Sequence, residues 1–115
     1  MPRAELHRGD LWTVAFGEPV GREQAGHRPA LVVATDLWND GPSGVTIVVP
    51  LTTTRRGLVT HVEIEPGPSG LDDVSYAKCE DVKSISLDRC LRRLGRVEPD
   101  VMFGVARNLR FVLDL

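Results

Sequence analysis

The chain has 115 residues, 42% hydrophobic, 26% charged and only 5% aromatic, with a net charge of −2 at pH 7. That length fits one domain, residues 1–115, whose core must rest on Val and Leu; the charge excludes a globally cationic protein, so any nucleic acid must meet a local patch. No apolar run approaches a membrane span, Met1 to Trp12 lacks the apolar centre of a signal peptide, and Cys79 and Cys90 are too few and wrongly spaced for a zinc site or a disulfide framework, so a cytoplasmic protein with buried thiols is expected.

After a short polar lead-in, Leu11 to Phe16 reads as the first strand, entered through Gly9-Asp10, with Trp12 as a core or interface anchor. Gly17 to Gly26 is a long polar loop, and Leu31 to Val33 then runs apolar and β-branched as a buried strand. Arg28 and Pro29 stand at the seam between them. A residue before proline is driven toward an extended conformation, so Arg28 is expected on fixed backbone, with Pro29 at the first strand position, where its missing N–H costs least. Arg28 therefore stands under a loop carrying Arg22, Glu23 and His27. This is either an anion site or an arginine exposed at a strand edge.

Asn39 to Gly44 is a turn, and Val45 to Pro50 is a strand whose near-continuous apolar run implies burial on both faces. In Leu51 to Gly57 (LTTTRRG), the threonines are β-favouring in their own right, or Thr52 offers its hydroxyl to a phosphate oxygen. Arg55 and Arg56 are likewise a solvated hairpin tip or a source of charge beside it. Thr60 to Ile64 alternates cleanly as a half-buried strand, which sets His61 and Glu63 on a solvent face. Pro66 to Asp73 is a second turn-rich loop. Ser75 to Val82 reads as a strand with Tyr76, Lys78 and Glu80 on one face; the last two form a cross-strand ion pair or half of an acid–base site. Ser86 to Arg89 is expected to make one helical turn, and basic Cys90 to Val97 an edge strand guarded by its charge. Pro99 opens a helix whose stripe is Val101, Val105, Leu109 and Val112, widened by Met102 and Leu113. Strands first and a helix last argue for a small curled sheet or barrel with one helix laid on it. No phosphate-cradling glycine motif, metal-ligand cluster or nucleophilic triad appears in the sequence, so neither a cofactor nor a metal is expected.

Four segments together resemble the MazF/PemK family of toxin ribonucleases from bacterial toxin–antitoxin pairs. They are RGDLW (Arg8 to Trp12), EQAGHRPALVV (Glu23 to Val33), VVPLTT (Val48 to Thr53) and EDVKSI (Glu80 to Ile85), in the family's order over nearly the whole chain. The resemblance implies an SH3-like barrel of the MazF/PemK/CcdB type, working as a homodimer with single-stranded RNA along its interface and neutralised by a MazE-like antitoxin. It also implies metal-independent cleavage, in which the ribose 2′-hydroxyl attacks its own phosphate and leaves a 2′,3′-cyclic phosphate and a 5′-hydroxyl. Arg28 then falls on the family's functional arginine, Thr52 on its functional threonine, and Glu23 on a loop acid implicated in some members. Lys78 and Glu80 fall where one branch carries an arginine and an aspartate in acid–base roles. Arg22 stands where that branch has a histidine. RNA contacts are expected from Arg22, His27, Thr53, Arg55, Arg56 and Lys83. Gyrase-poisoning toxins share the fold and act without catalysis through the terminal helix; the presence of Arg28 and Thr52 together with EQAGHRP favours the ribonuclease over them and over an inert binding module.

Overall fold

The computed structural model describes residues 5–17 and 26–115. At its centre β1 (Asp10–Ala15) pairs antiparallel with β2 (His27–Val32) on one side and with β7 (Cys90–Arg96) on the other. β2 continues onto β3 (Val45–Thr52), whose far edge serves two strands in succession. Val45 to Val48 pairs with β6 (Lys83–Ser86), while Leu51 and Thr52 pair with β5 (Ser75–Lys78), which carries β4 (His61–Ile64). The path β4-β5-β3-β2-β1-β7 does not close, so β4 and β7 are edges and the sheet is an open, barrel-like one. The expected edge position of the basic strand is met.

Alternation along the strands builds a core on each face. Leu31, Val49, Leu51 and Ala77 belong to one cluster, which also receives Val101, Met102, Val105 and Leu109 from α2 (Pro99–Leu113). Trp12, Val14, Ala30, Val32, Val48 and Ile85 belong to the other. The helix stripe is narrower than expected: Leu113 is half exposed, and Phe103 and Phe111 stand in solvent. Cys79 and Cys90 are buried free thiols, each pushed up to about 11 by burial. No described helix is long and apolar enough to cross a membrane.

Between the two sheet edges, the loop after β4 is laid directly on β7. Arg96 N–H donates to Pro68 O at 2.9 Å, and a Cβ on Gly70 would come within 1.9 Å of Leu94 O, one on Gly95 within 2.3 Å of Pro68 O. Only two residues without side chains allow backbones this close.

Three local expectations are corrected. Pro29 is the third residue of β2; it pairs with Thr13, but β3 joins only from Ala30, so Pro29 lies where the strand is paired on one side. Asn39 does not open a turn but closes a short helix, α1 (Asp36–Asn39), and is buried. Its amide donates to Ala34 O at 3.0 Å and accepts from Thr46 Oγ1 at 2.7 Å. Ser75 to Val82 is not one strand: β5 stops at Lys78, a 3₁₀ turn fills Cys79–Asp81, and the chain re-enters the sheet as β6, a strand absent from the sequence reading. The expected helical turn before β7 forms as Leu87–Arg89, with Ser86 Oγ accepting from Asp88 N–H at 3.3 Å.

Candidate active site

Register assembles the site. The β4–β5 ladder sets His61 opposite Lys78 and Glu63 opposite Tyr76, and the β3–β5 ladder sets Thr52 opposite Tyr76. Val62 and Ala77, of opposite parity, pack against or lie within the first core. Thr52, Tyr76, Lys78, His61 and Glu63 therefore share the other face. Because the strand ends at Lys78, the 3₁₀ turn swings Glu80 back over β4 instead of carrying it onward beside Lys78.

The consequence is a three-residue cluster. Thr60 Oγ1 donates to Glu80 Oε1 at 2.7 Å, and His61 Nε2 meets Glu80 Oε2 at 2.9 Å. The His61 side chain is only 3% exposed, against 35% for Glu80. Alternation had placed His61 in solvent; the turn corrects that by bringing Glu80 against the ring. Burial alone would raise the Glu80 carboxyl, but the hydrogen bonds from Thr60 and His61 prevail and hold it below its ordinary value. Lys78 pairs with Asp81, Nζ to Oδ2 at 3.3 Å, and not with Glu80.

A pocket of about 550 Å³ opens on this face, lined by Thr52, Arg56, His61, Lys78, Glu80 and Asp81 among others. Thr52 Oγ1 accepts the Thr54 N–H at 3.1 Å, which leaves its own hydroxyl proton available to a ligand. A smaller hollow of about 230 Å³ adjoins it, sharing Leu58 and His61 and adding Arg55, Glu63 and Tyr76. Thr53, Arg55 and Arg56 are exposed. The pocket can thus present a hydroxyl, a guanidinium, an ammonium and an ionised carboxylate to one ligand.

The remaining expected residues fall around this pocket. Arg28 is exposed on β2, opposite Val14. It is not among the pocket's lining residues, but the β2–β3 register, continued two residues past Ala30 and Pro50, sets it level with Thr52. His27 is exposed beside it, opposite Ala15. Arg22 and Glu23 lie outside the described residues; the ends of their loop are joined by Phe16 N–H to Gly26 O at 2.9 Å and Gly26 N–H to Gly17 O at 3.0 Å. Lys83 stands apart from the pocket, its Nζ 5.6 Å from the centre of the Phe16 ring. Sequence reasoning missed His61 as a site residue. The signal that could have found it is a histidine and a carboxylate on neighbouring strands, but only the break at Lys78 brings them together. Among the described residues, no group of three or more His, Cys, Asp and Glu side chains is placed to hold a metal ion.

The family model described as PemK-like, MazF-like toxin of type II toxin–antitoxin systems matches residues 7–113. The chain belongs to this family. The MazF endoribonuclease toxin of Escherichia coli strain K12 is 37% identical over 93 residues, 80% of this chain and 79% of that one. The crystal structure of MazF from Deinococcus radiodurans superposes with a TM-score of 0.82 at 26% identity, covering 96% of this chain and 97% of that one. A mycobacterial endoribonuclease solved in complex with its cognate antitoxin gives 0.80 at 26% identity, with the same coverage. The open sheet with a terminal helix is thus the MazF fold, and the cluster around Glu80 lies within the matched span of this MazF-like chain.

Proposed function

We propose that this toxin is an endoribonuclease that cuts single-stranded RNA without a metal ion, by attack of a ribose 2′-hydroxyl on the adjacent phosphate. The observation that supports the reading is the gathering of Thr52, Arg56, Lys78 and an ionised Glu80 around one open pocket, level with Arg28 on the next strand. The reaction needs a proton acceptor for the 2′-hydroxyl, a proton donor for the departing 5′-oxygen, and positive charge beside the pentavalent phosphate. Glu80 accepts the 2′ proton from a fixed position. Lys78, across the pocket, protonates the leaving oxygen. Arg28 spans two phosphate oxygens with its planar fork, and Thr52 holds the phosphate in register. Glu23 competes with Glu80 for the acceptor role, as a loop acid that closes over bound RNA. Arg22, His27, Thr53, Arg55, Arg56 and Lys83 hold the flanking strand.

The toxin works in the cytoplasm, as a homodimer. Its antitoxin lays an extended acidic and apolar segment over the site, where Arg28, Arg55 and Arg56 supply complementary charge on an otherwise mildly acidic protein. Incubation of purified protein with a long RNA, with and without EDTA, tests the reading. Fragments ending in a cyclic phosphate in both tubes, and none from a strand with a 2′-deoxyribose at the cut site, are expected. Cleavage lost in EDTA and restored by a divalent ion overturns it.

A further inference from the structure

We propose that His61 is the positioning residue of this site, a buried imidazole that fixes the rotamer and the charge of Glu80 so that the carboxylate can act as proton acceptor. The inference rests on Glu80 having that role, as proposed above. An ionised carboxylate can only accept, so the proton in the 2.9 Å contact belongs to His61 Nε2. The other ring nitrogen, Nδ1, is buried and has no hydrogen-bond partner among the described residues. A polar atom left unmatched in this way is costly, and among the described residues the imidazole's polar contact is the one with Glu80. The side chain is 3% exposed against 35% for Glu80, so of the pair it is the carboxylate that is open to a ligand. The action of His61 must therefore pass through Glu80.

The charged and titratable groups around the imidazole are Glu80 and Asp81 from the 3₁₀ turn, Lys78 and Tyr76 from β5, Glu63 from β4 itself, and Arg55 and Arg56 from the segment after β3. On the opposite face, where α2 packs, the titratable neighbour is Cys79, which is neutral. Among the described residues, only Glu80 lies within ion-pair distance of the imidazole. Thr60 is the second support, fixing the other carboxylate oxygen from a half-buried position.

The experiment is a set of pH–rate profiles on one RNA oligonucleotide, with folding checked by circular dichroism, for wild type, His61→Leu, His61→Gln, Thr60→Val and Glu80→Gln. His61→Leu should move the acidic limb upward by about one pH unit, so that the loss of kcat approaches tenfold only below the wild-type limb and is small near pH 7, with KM little changed. His61→Gln, whose amide can donate to the same oxygen, should restore the limb to its wild-type position. If His61→Leu does not fold, Thr60→Val must show an upward shift of its own, and its absence overturns the proposal. A limb unmoved in His61→Leu, or a Gln variant as impaired as Leu, also overturns it. Glu80→Gln keeps the two questions apart. If it retains the acidic limb, Glu80 is not the acceptor and the earlier assignment fails; if it loses the limb while the His61 and Thr60 variants keep theirs, only the role of His61 fails.

Discussion

At the residue scale, Arg28 and Glu80 are asked to do different kinds of work, and substitution should separate them. In the proposed mechanism Arg28 meets charge that grows as the phosphate becomes pentavalent, so Arg28→Ala should reduce kcat by a hundredfold or more, on the order seen for a lost oxyanion donor, with a much smaller change in RNA affinity. Single-turnover kinetics beside a binding titration checks this; equal losses in both would assign Arg28 to simple binding. Glu80 also carries a stability signature. Its folded carboxyl is held below the ordinary 4.5, so the folded chain takes up that proton less readily than the unfolded one. The contribution is complete above about pH 5 and is lost as pH falls through the folded value. Asp36 shifts in the same direction from 3.8, chiefly because the Arg8 N–H donates to it. Thermal melts between pH 3 and pH 7 should therefore show the midpoint dropping in acid, with a shallower drop in Glu80→Gln, which also starts lower at neutral pH. A Gln variant with the wild-type slope would contradict this.

At the scale of elements, the crossing of the loop after β4 over β7 leaves the least room for a Cβ at any described glycine. Gly70 has φ of +75° in addition to its lack of space. Gly70→Ala must therefore displace backbone, at a cost of roughly 3 kcal/mol or more, whereas Gly57→Ala, at φ +67° with nothing near its Cβ, should lose only about 1 kcal/mol. Chemical denaturation of the two variants measures the difference, and similar losses would show that the crossing is looser than its geometry. The same scale explains what could be read from sequence. The strands around Trp12 and Val48 and the helix after Pro99 were legible because their apolar spacing matches the period of the element that forms. Arg28 and Thr52 could be singled out because a proline and a strand end mark their backbone. The break at Lys78 was not legible, because SYAKCEDV goes on alternating in letters after the strand has stopped. What stops it is three-dimensional: Asp81 turns back to Lys78, Glu80 is taken by Thr60 and His61, and β3 has already passed from β5 to β6. His61 was lost with it, since its burial depends on that turn.

At the scale of the whole molecule, the proposed function places RNA along an open pocket on a small open sheet, and the proposed dimer would double that surface. Light scattering at micromolar concentration should give twice the 12.6 kDa chain mass; a monomer with full cleavage would contradict the dimer. The antitoxin reading is testable in the same preparation. An acidic, apolar peptide that inhibits cleavage should displace a fluorescent RNA in proportion, and its grip should weaken as salt rises. Inhibition that leaves RNA binding untouched would place the antitoxin elsewhere.

The pairing of β1 with β7 brings the first strand of the chain against the last. During synthesis β1 emerges early and must wait for a neighbour nearly the whole length of the chain away, a closure that is slow because so much intervening chain must first be ordered. The strands carrying Arg28, Thr52 and His61 and the turn carrying Glu80 are all complete by then, yet the first core still lacks Val97 and the inner face of α2. A nascent toxin is therefore a collection of site residues without a site. On the proposed reading, cleavage starts only once β7 and α2 have docked on the earlier strands.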